Sequence, residues 1–241
     1  MFAVSLPQLL AAASIGALGG FTRGISGFGA ALVMVPLLSL CMPTQQAVVA
    51  VVVTNFLTGF PMAIGVRREA DLRALLPIAL AAMATMPLGM WLLVQLSSDH
   101  LRRLAALVVL AMVGLMMITR PMQLAWPWRL LAGGLSGVLN GAVSLGGPPV
   151  VLYFLARGAP AATSRASCVV YFALLQAAQM AALATTALIT PSTLLWSAIL
   201  TPCLLAGSYL GSVLFRAGGH VHFRAISLGL LACTGLAALV R

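Results

Sequence analysis

Two long apolar segments of this chain carry the same spacing of helix-perturbing residues, and that doubled pattern constrains its fold more than any other feature. The first copy runs Gly16, Gly20, Gly24 and Gly29, then Pro43; the second runs Gly133, Gly137, Gly141 and Gly146, then Pro160. Each residue of the second copy lies 117 positions after its counterpart (133 − 16, 160 − 43). The spacing predicts an internal duplication: repeat 1 about 1–119 and repeat 2 about 120–241, within a single transmembrane domain. Gly/Pro-interrupted segments at matching places in two halves are a sequence pointer to a transporter's binding site.

The membrane setting follows from the scarcity of charge. Hydrophobic residues make up 62% of the chain and charged residues only 7%, and the mean hydropathy is +1.10. Soluble domains carry about a quarter charged residues, so this surface cannot face water. Stretches 72–96, 104–118 and 163–189 are largely free of charge, and most exceed the ~20 residues a helix needs to span hydrocarbon. The fold class is therefore an all-α polytopic membrane protein. The alternating ten-residue strands of a membrane barrel are absent from the sequence.

The net charge of +10 comes from thirteen arginines and no lysine, against Glu69, Asp71 and Asp99. The arginines sit at the ends of apolar runs, where cytoplasmic loops hold them; a lipid bilayer is the expected partner, and nucleic acid is not. Cys41, Cys168, Cys203 and Cys233 lie within or beside apolar runs with no ligand or redox spacing, and read as small packing residues. No metal or cofactor is expected. The N-terminus, without a charged leader or cleavage site, reads as part of the first helix rather than a signal peptide.

Turn signals at 42–46, 67–71, 97–103, 120–128, 157–164, 189–192 and 216–224 divide the chain into eight hydrophobic segments. With eight simple spans, four plus four, Arg67, Arg68, Arg73, Arg120, Arg129 and Arg241 face one side and Arg102, Arg103, Arg157, Arg165, Arg216 and Arg224 the other. That balance gives no orientation. The segments 5–41 and 128–156 are too long for one crossing. If each breaks at its glycines and doubles back, Arg67, Arg68, Arg73, Arg120, Arg129, Arg157, Arg165, Arg216 and Arg224 share a side and only Arg102, Arg103 and Arg241 oppose them. This positive-inside bias favours two inverted repeats of about five helical elements each, with broken Gly-rich helices and both termini outside the cytoplasm of a cell (inner) membrane. Whether the paired arms cross fully or re-enter is open at this stage.

Backbone that leaves helical geometry inside a membrane must be buried in protein or line a wet cavity, because unsatisfied amides are costly in lipid. Here the candidates are Arg23, Gly24, Ser26, Gly27 and Gly29 in the first element, and Asn140, Gly141, Ser144, Gly146, Gly147 and Pro148 in the second. Gly16, Gly20 and Gly24 equally fit small-xxx-small helix packing, whereas Gly146-Gly147-Pro148-Pro149 reads as a break. A helix restarting after such a break aims its free N–H groups and positive dipole end at the gap, a ready anion site. Arg23 is the arginine inside a long apolar stretch. A charge there is a functional candidate by default, and its fork of donors suits a sulfonate or carboxylate. At the 117-residue offset Arg23 aligns with Asn140, and Gly27 with Ser144. Thr54, Asn55, Tyr171, Gln176 and Gln179 are secondary candidates in later spans.

Every carboxylate and histidine in the sequence lies at a loop or helix end, so no mid-span acid is placed to carry a proton or hold sodium. An exporter or uniporter driven by membrane potential, or coupled through its substrate's own proton, is the economical expectation. The run Gly24-Ile25-Ser26-Gly27-Phe28-Gly29 to Val35-Pro36, with its second copy from Gly141 to Pro149, resembles the sulfite exporter TauE/SafE family of membrane permeases. The resemblance covers nearly the whole chain, including the duplication. It implies transport of small sulfur-containing anions such as sulfite and organosulfonates, and no enzymatic activity. The chain departs from the family's triple-glycine run, with Ala30-Ala31 after Gly29 and Pro148-Pro149 after Gly147. Gly24-Ile25-Ser26-Gly27 also fits the pattern around the serine of rhomboid intramembrane proteases, an alternative alongside a passive channel or an assembly factor. A homo-oligomer is left open.

Overall fold

The computed structural model of the chain describes residues 6–118, 126–157 and 160–216. The last element expected of repeat 2, with Arg224, Arg241, Cys233, His220 and His222, lies outside the described residues, as does Arg120. All regular structure among the described residues is helical: α1 Leu6–Ser26, α2 Ala30–Leu38, α3 Thr44–Val66, α4 Leu72–Gln95, α5 Ser98–Ile118, α6 Trp126–Val143, α7 Gly147–Ala156, α8 Ala161–Ala184 and α9 Pro191–Arg216. Spans Pro7–Ser26, Thr44–Glu69, Leu72–Gln95, Ala162–Ala184 and Pro191–Arg216 are long and apolar enough to cross a membrane. This is an all-α polytopic membrane protein.

Both glycine elements break where the sequence places them, between α1 and α2 and between α6 and α7. The segments 5–41 and 128–156 are thus two helices each, not simple spans. α2 has 9 residues and α7 has 10. At 1.5 Å per residue each is about 15 Å long, half the ~30 Å hydrocarbon core. They are half-helices that start inside the protein, at the breaks. Met34 of α2 lies over Gly19 of α1, so the second arm folds back along the first.

Helix direction is fixed by close contacts. Along α1, Gly16 meets Leu200 and Cys203, Gly20 meets Leu204 and Gly24 meets Ser208, so α1 and α9 run parallel. Along α6, Gly133 meets Ile78, Gly137 meets Ala82 and Gly141 meets Met86, so α6 runs parallel to α4. In both seams a glycine abuts a backbone carbonyl of the partner helix, an approach that any side chain would block. Hydroxyls stitch the same seams: Ser208 Oγ donates to the Gly20 carbonyl at 3.1 Å, and Thr85 Oγ1 to that of Gly134 at 2.7 Å.

α3 and α8 cross the interior. Val48, Ala50, Val51 and Val52 are fully buried, as expected of a helix apolar on all faces at the centre of a bundle. Gly59 of α3 packs on Ala173 of α8.

One end of the bundle collects arginine. The α3–α4 turn carries Arg67, Arg68 and Arg73. Beside it, Arg157 after α7 pairs with Asp71 at 3.0 Å, and Arg129 and Arg157 each lie about 6 Å from the Tyr153 ring. The Asp71 carboxylate caps α4 by accepting from Ala74 N–H; that bond and Arg157 hold its carboxyl below the usual carboxylate range. Arg165 opens α8 and stacks 4.9 Å over Phe215 near the end of α9. Arg102 lies at the other end, after α4, paired with Asp99.

Candidate functional site

The two breaks meet. A side-chain atom placed on Gly147 would lie 3.6 Å from both Phe28 of the first break and Phe172 of α8. Around this meeting point is a cleft lined by Arg23, Gly27 to Leu32, Asn55, Gly59, Ser144, Leu145, Gly147, Phe172, Ala173 and Gln176. Asn55 is the middle residue of α3 and Phe172 is near the middle of α8, so the cleft lies at mid-height.

The backbone of the breaks follows from residue choice. Gly27 and Gly29 have φ of +79° and +95°, which glycine adopts without strain. The counterpart of Gly27 is Ser144, whose φ is +57°, a conformation uncommon outside glycine. Ser26 spends its hydroxyl on the turn, at 2.6 Å from the Thr22 carbonyl and 3.2 Å from the Phe28 amide. A serine so engaged is no free nucleophile, and His100 sits at the start of α5 beside Ser97.

Arg23 is 8% exposed. Its Nη1 donates to Thr58 Oγ1 at 2.7 Å and to Asn55 Oδ1 at 3.2 Å, both neutral acceptors. Its Nη2 reaches toward Gly59. Among the described residues no carboxylate pairs with it; Asp71 and Asp99 are bound to Arg157 and Arg102. A buried cation without a counter-charge is costly, and an anion in the cleft would offset that cost.

The helix ends add to the positive field unequally. α2 starts at Gly29, which has no side chain to cap it. Val33 N–H bonds the Gly29 carbonyl at 3.3 Å, which leaves the amides of Ala30, Ala31 and Leu32 without partners in the helix. α7 starts Gly147-Pro148-Pro149, and proline has no N–H. Its first turn therefore offers only the Gly147 amide. Both dipoles point at the cleft, but the donors come from α2.

Of the residues singled out in the sequence, Arg23, Gly27, Gly29, Asn55, Ser144, Gly147 and Gln176 line the cleft. The others support it. Gly24 and Gly141 lie in the α1–α9 and α4–α6 seams, and Gly146 packs on Ser136 and Asn140. Ser136 Oγ donates to the Gly146 carbonyl and contacts Tyr171 OH, so Tyr171 braces the second break. Asn140 does not mirror Arg23 in the cleft. Its Nδ2 donates to Gln179 Oε1, and Gln179 Nε2 returns a bond to the Asn140 carbonyl, both at 2.8 Å. Pro148 lies in the first turn of α7.

Three further residues belong to the candidate site. Thr58 lies one turn after Asn55 on the same face of α3, a spacing that could have exposed it. Phe172 sits 117 residues after Asn55. Arg165 reaches across the halves to donate to the Gly24 carbonyl at 2.7 Å and Ser212 Oγ at 3.2 Å. It satisfies the C-terminal end of α1, a contact with no local sequence signal.

The family model described as Sulfite exporter TauE/SafE matches residues 12–238. No curated protein and no solved structure matches the chain.

Proposed function

The chain belongs to the sulfite exporter TauE/SafE family, and from that premise we propose that it carries a small sulfur-containing anion, such as sulfite or an organosulfonate, through the cleft between its two helix breaks. Membership makes it a membrane transporter for sulfur anions. The observation that carries the finer reading is the buried Arg23, bonded among the described residues only to neutral oxygens, beside the uncapped start of α2. Saturable flux in proteoliposomes, measured with sulfite, sulfonates, thiosulfate and carboxylates, tests it. Flux that never saturates would indicate a passive channel instead.

The α2 amides give a second test. Ala31→Pro removes one donor and places proline where α7 already has Pro148. Proline is tolerated in a first helical turn. The variant is expected to fold normally and to weaken the anion's half-saturation constant by about tenfold, the worth of one bond to a charged group. Unchanged affinity would take the α2 amides out of the site.

The proposed cycle is alternating access by two inverted repeats. The opposite directions of α3 and α8, where Gly59 meets Ala173 and Asp71 N–H, beyond α3, bonds Ser167 Oγ, and the exchange by which α1 packs on α9 while α6 packs on α4, support it. Export of an anion by uniport can run on membrane potential, worth about 2.3 kcal/mol per charge per 100 mV. In a cell (inner) membrane the arginine-rich end would face the cytoplasm, with both termini outside. Cysteine introduced at exposed Arg68 should then be labelled from the cytoplasm, and at exposed Pro191 from outside. The reverse labelling would invert the orientation.

A further inference from the structure

The cleft also holds an acceptor. Gln176 is 4% exposed; its Nε2 donates to Ser144 Oγ at 3.4 Å, and its Oε1 is buried without a partner among the described residues. A bare anion would set its lone pairs against that oxygen. An anion that keeps one O–H would satisfy it and still offer its other oxygens to Arg23 and α2. Taking the cleft as an anion site, we propose that it selects the singly charged, proton-bearing form of an oxyanion, with the O–H donated to Gln176 Oε1. The single guanidinium matches a single negative charge. A proton then crosses on the substrate itself, which accounts for transport without a mid-span carboxylate.

Among the described residues, no protein group around the cleft competes for this pH dependence. α1 brings Arg23, charged at all working pH, and α2 and α3 contain no ionisable side chain. On α8, Tyr171 is turned to Ser136 and Arg165 to Gly24 and Ser212, while Cys168 packs in the core. Arg129 of α6 and Tyr153 of α7 sit with Arg157 at the arginine-rich end.

The test compares sulfite with methanesulfonate, a singly charged sulfur oxyanion that carries a methyl group and no hydroxyl. Flux is measured in proteoliposomes across sulfite's second ionisation. For the unaltered chain, the half-saturation concentration of total sulfite should rise about tenfold per pH unit above that ionisation, as the protonated anion is depleted. Methanesulfonate should be about tenfold weaker than hydrogen sulfite, for want of one buried hydrogen bond, and flat with pH. Gln176→Met should bring hydrogen sulfite down to methanesulfonate's level, with an unaltered melting temperature as the control for folding. The inference is overturned if methanesulfonate binds as well as hydrogen sulfite, or if sulfite affinity ignores pH; Gln176 would then turn its amide N–H to the anion. Neither result touches the anion-carrier reading, which fails only if neither anion shows saturable flux at any pH.

Discussion

Arg23→Ala is expected to abolish saturable anion flux, or to raise the half-saturation concentration by on the order of 100-fold, the scale on which truncating one partner of a buried charged contact is felt. The same substitution should not unfold the protein. Among the described residues Arg23 is held by Asn55 and Thr58 alone, so its burial is opposed by desolvation with no carboxylate there to offset it. Replacing it removes that cost along with two hydrogen bonds, and the melting temperature should hold or rise. Loss of transport with retained stability is the signature of a substrate counter-ion rather than a structural strut. Arg23→Lys separates charge from shape: it keeps the cation and loses the planar fork, so flux should persist at intermediate affinity. Unchanged flux in Arg23→Ala would remove Arg23 from the site.

The reversal of the chain at each glycine element was legible before any coordinates, because only that reversal gathers the arginines on one side. The half-helices and the charge at Arg23 were legible too. What the sequence could not show is which neighbour each polar group faces. Asn140 and Gln179 bond to each other, a pairing 39 residues apart that periodicity does not encode. The correspondence of Arg23 with Asn140 therefore marks matching places in the chain without matching roles. The apolar lining is hidden for the same reason. Phe28 and Phe172 differ from dozens of lipid-facing residues only in the direction they point.

The glycines show the same divide between pattern and partner. Gly20 and Gly24 read equally as a break or as packing, and the α1–α9 register decides between them: each sits on a carbonyl of α9. Gly20→Val and Gly137→Val are expected to be among the most damaging substitutions for folding. At both positions the new side chain would overlap a partner-helix carbonyl, of Leu204 and Ala82 respectively. A backbone group cannot rotate away as a flexible side chain can, so the cost should reach or pass the ~3 kcal/mol upper range of ordinary overpacking. The readout is recovery of monodisperse protein and its melting temperature, with Gly65→Val as the control, since nothing lies within 4 Å of a side chain built there. Gly20→Val and Gly137→Val should fail alike, because the two seams are built alike. If Gly137→Val melts with the unaltered chain, α4 and α6 are not in close contact. The second break would then lose the support on which its place beside the first depends.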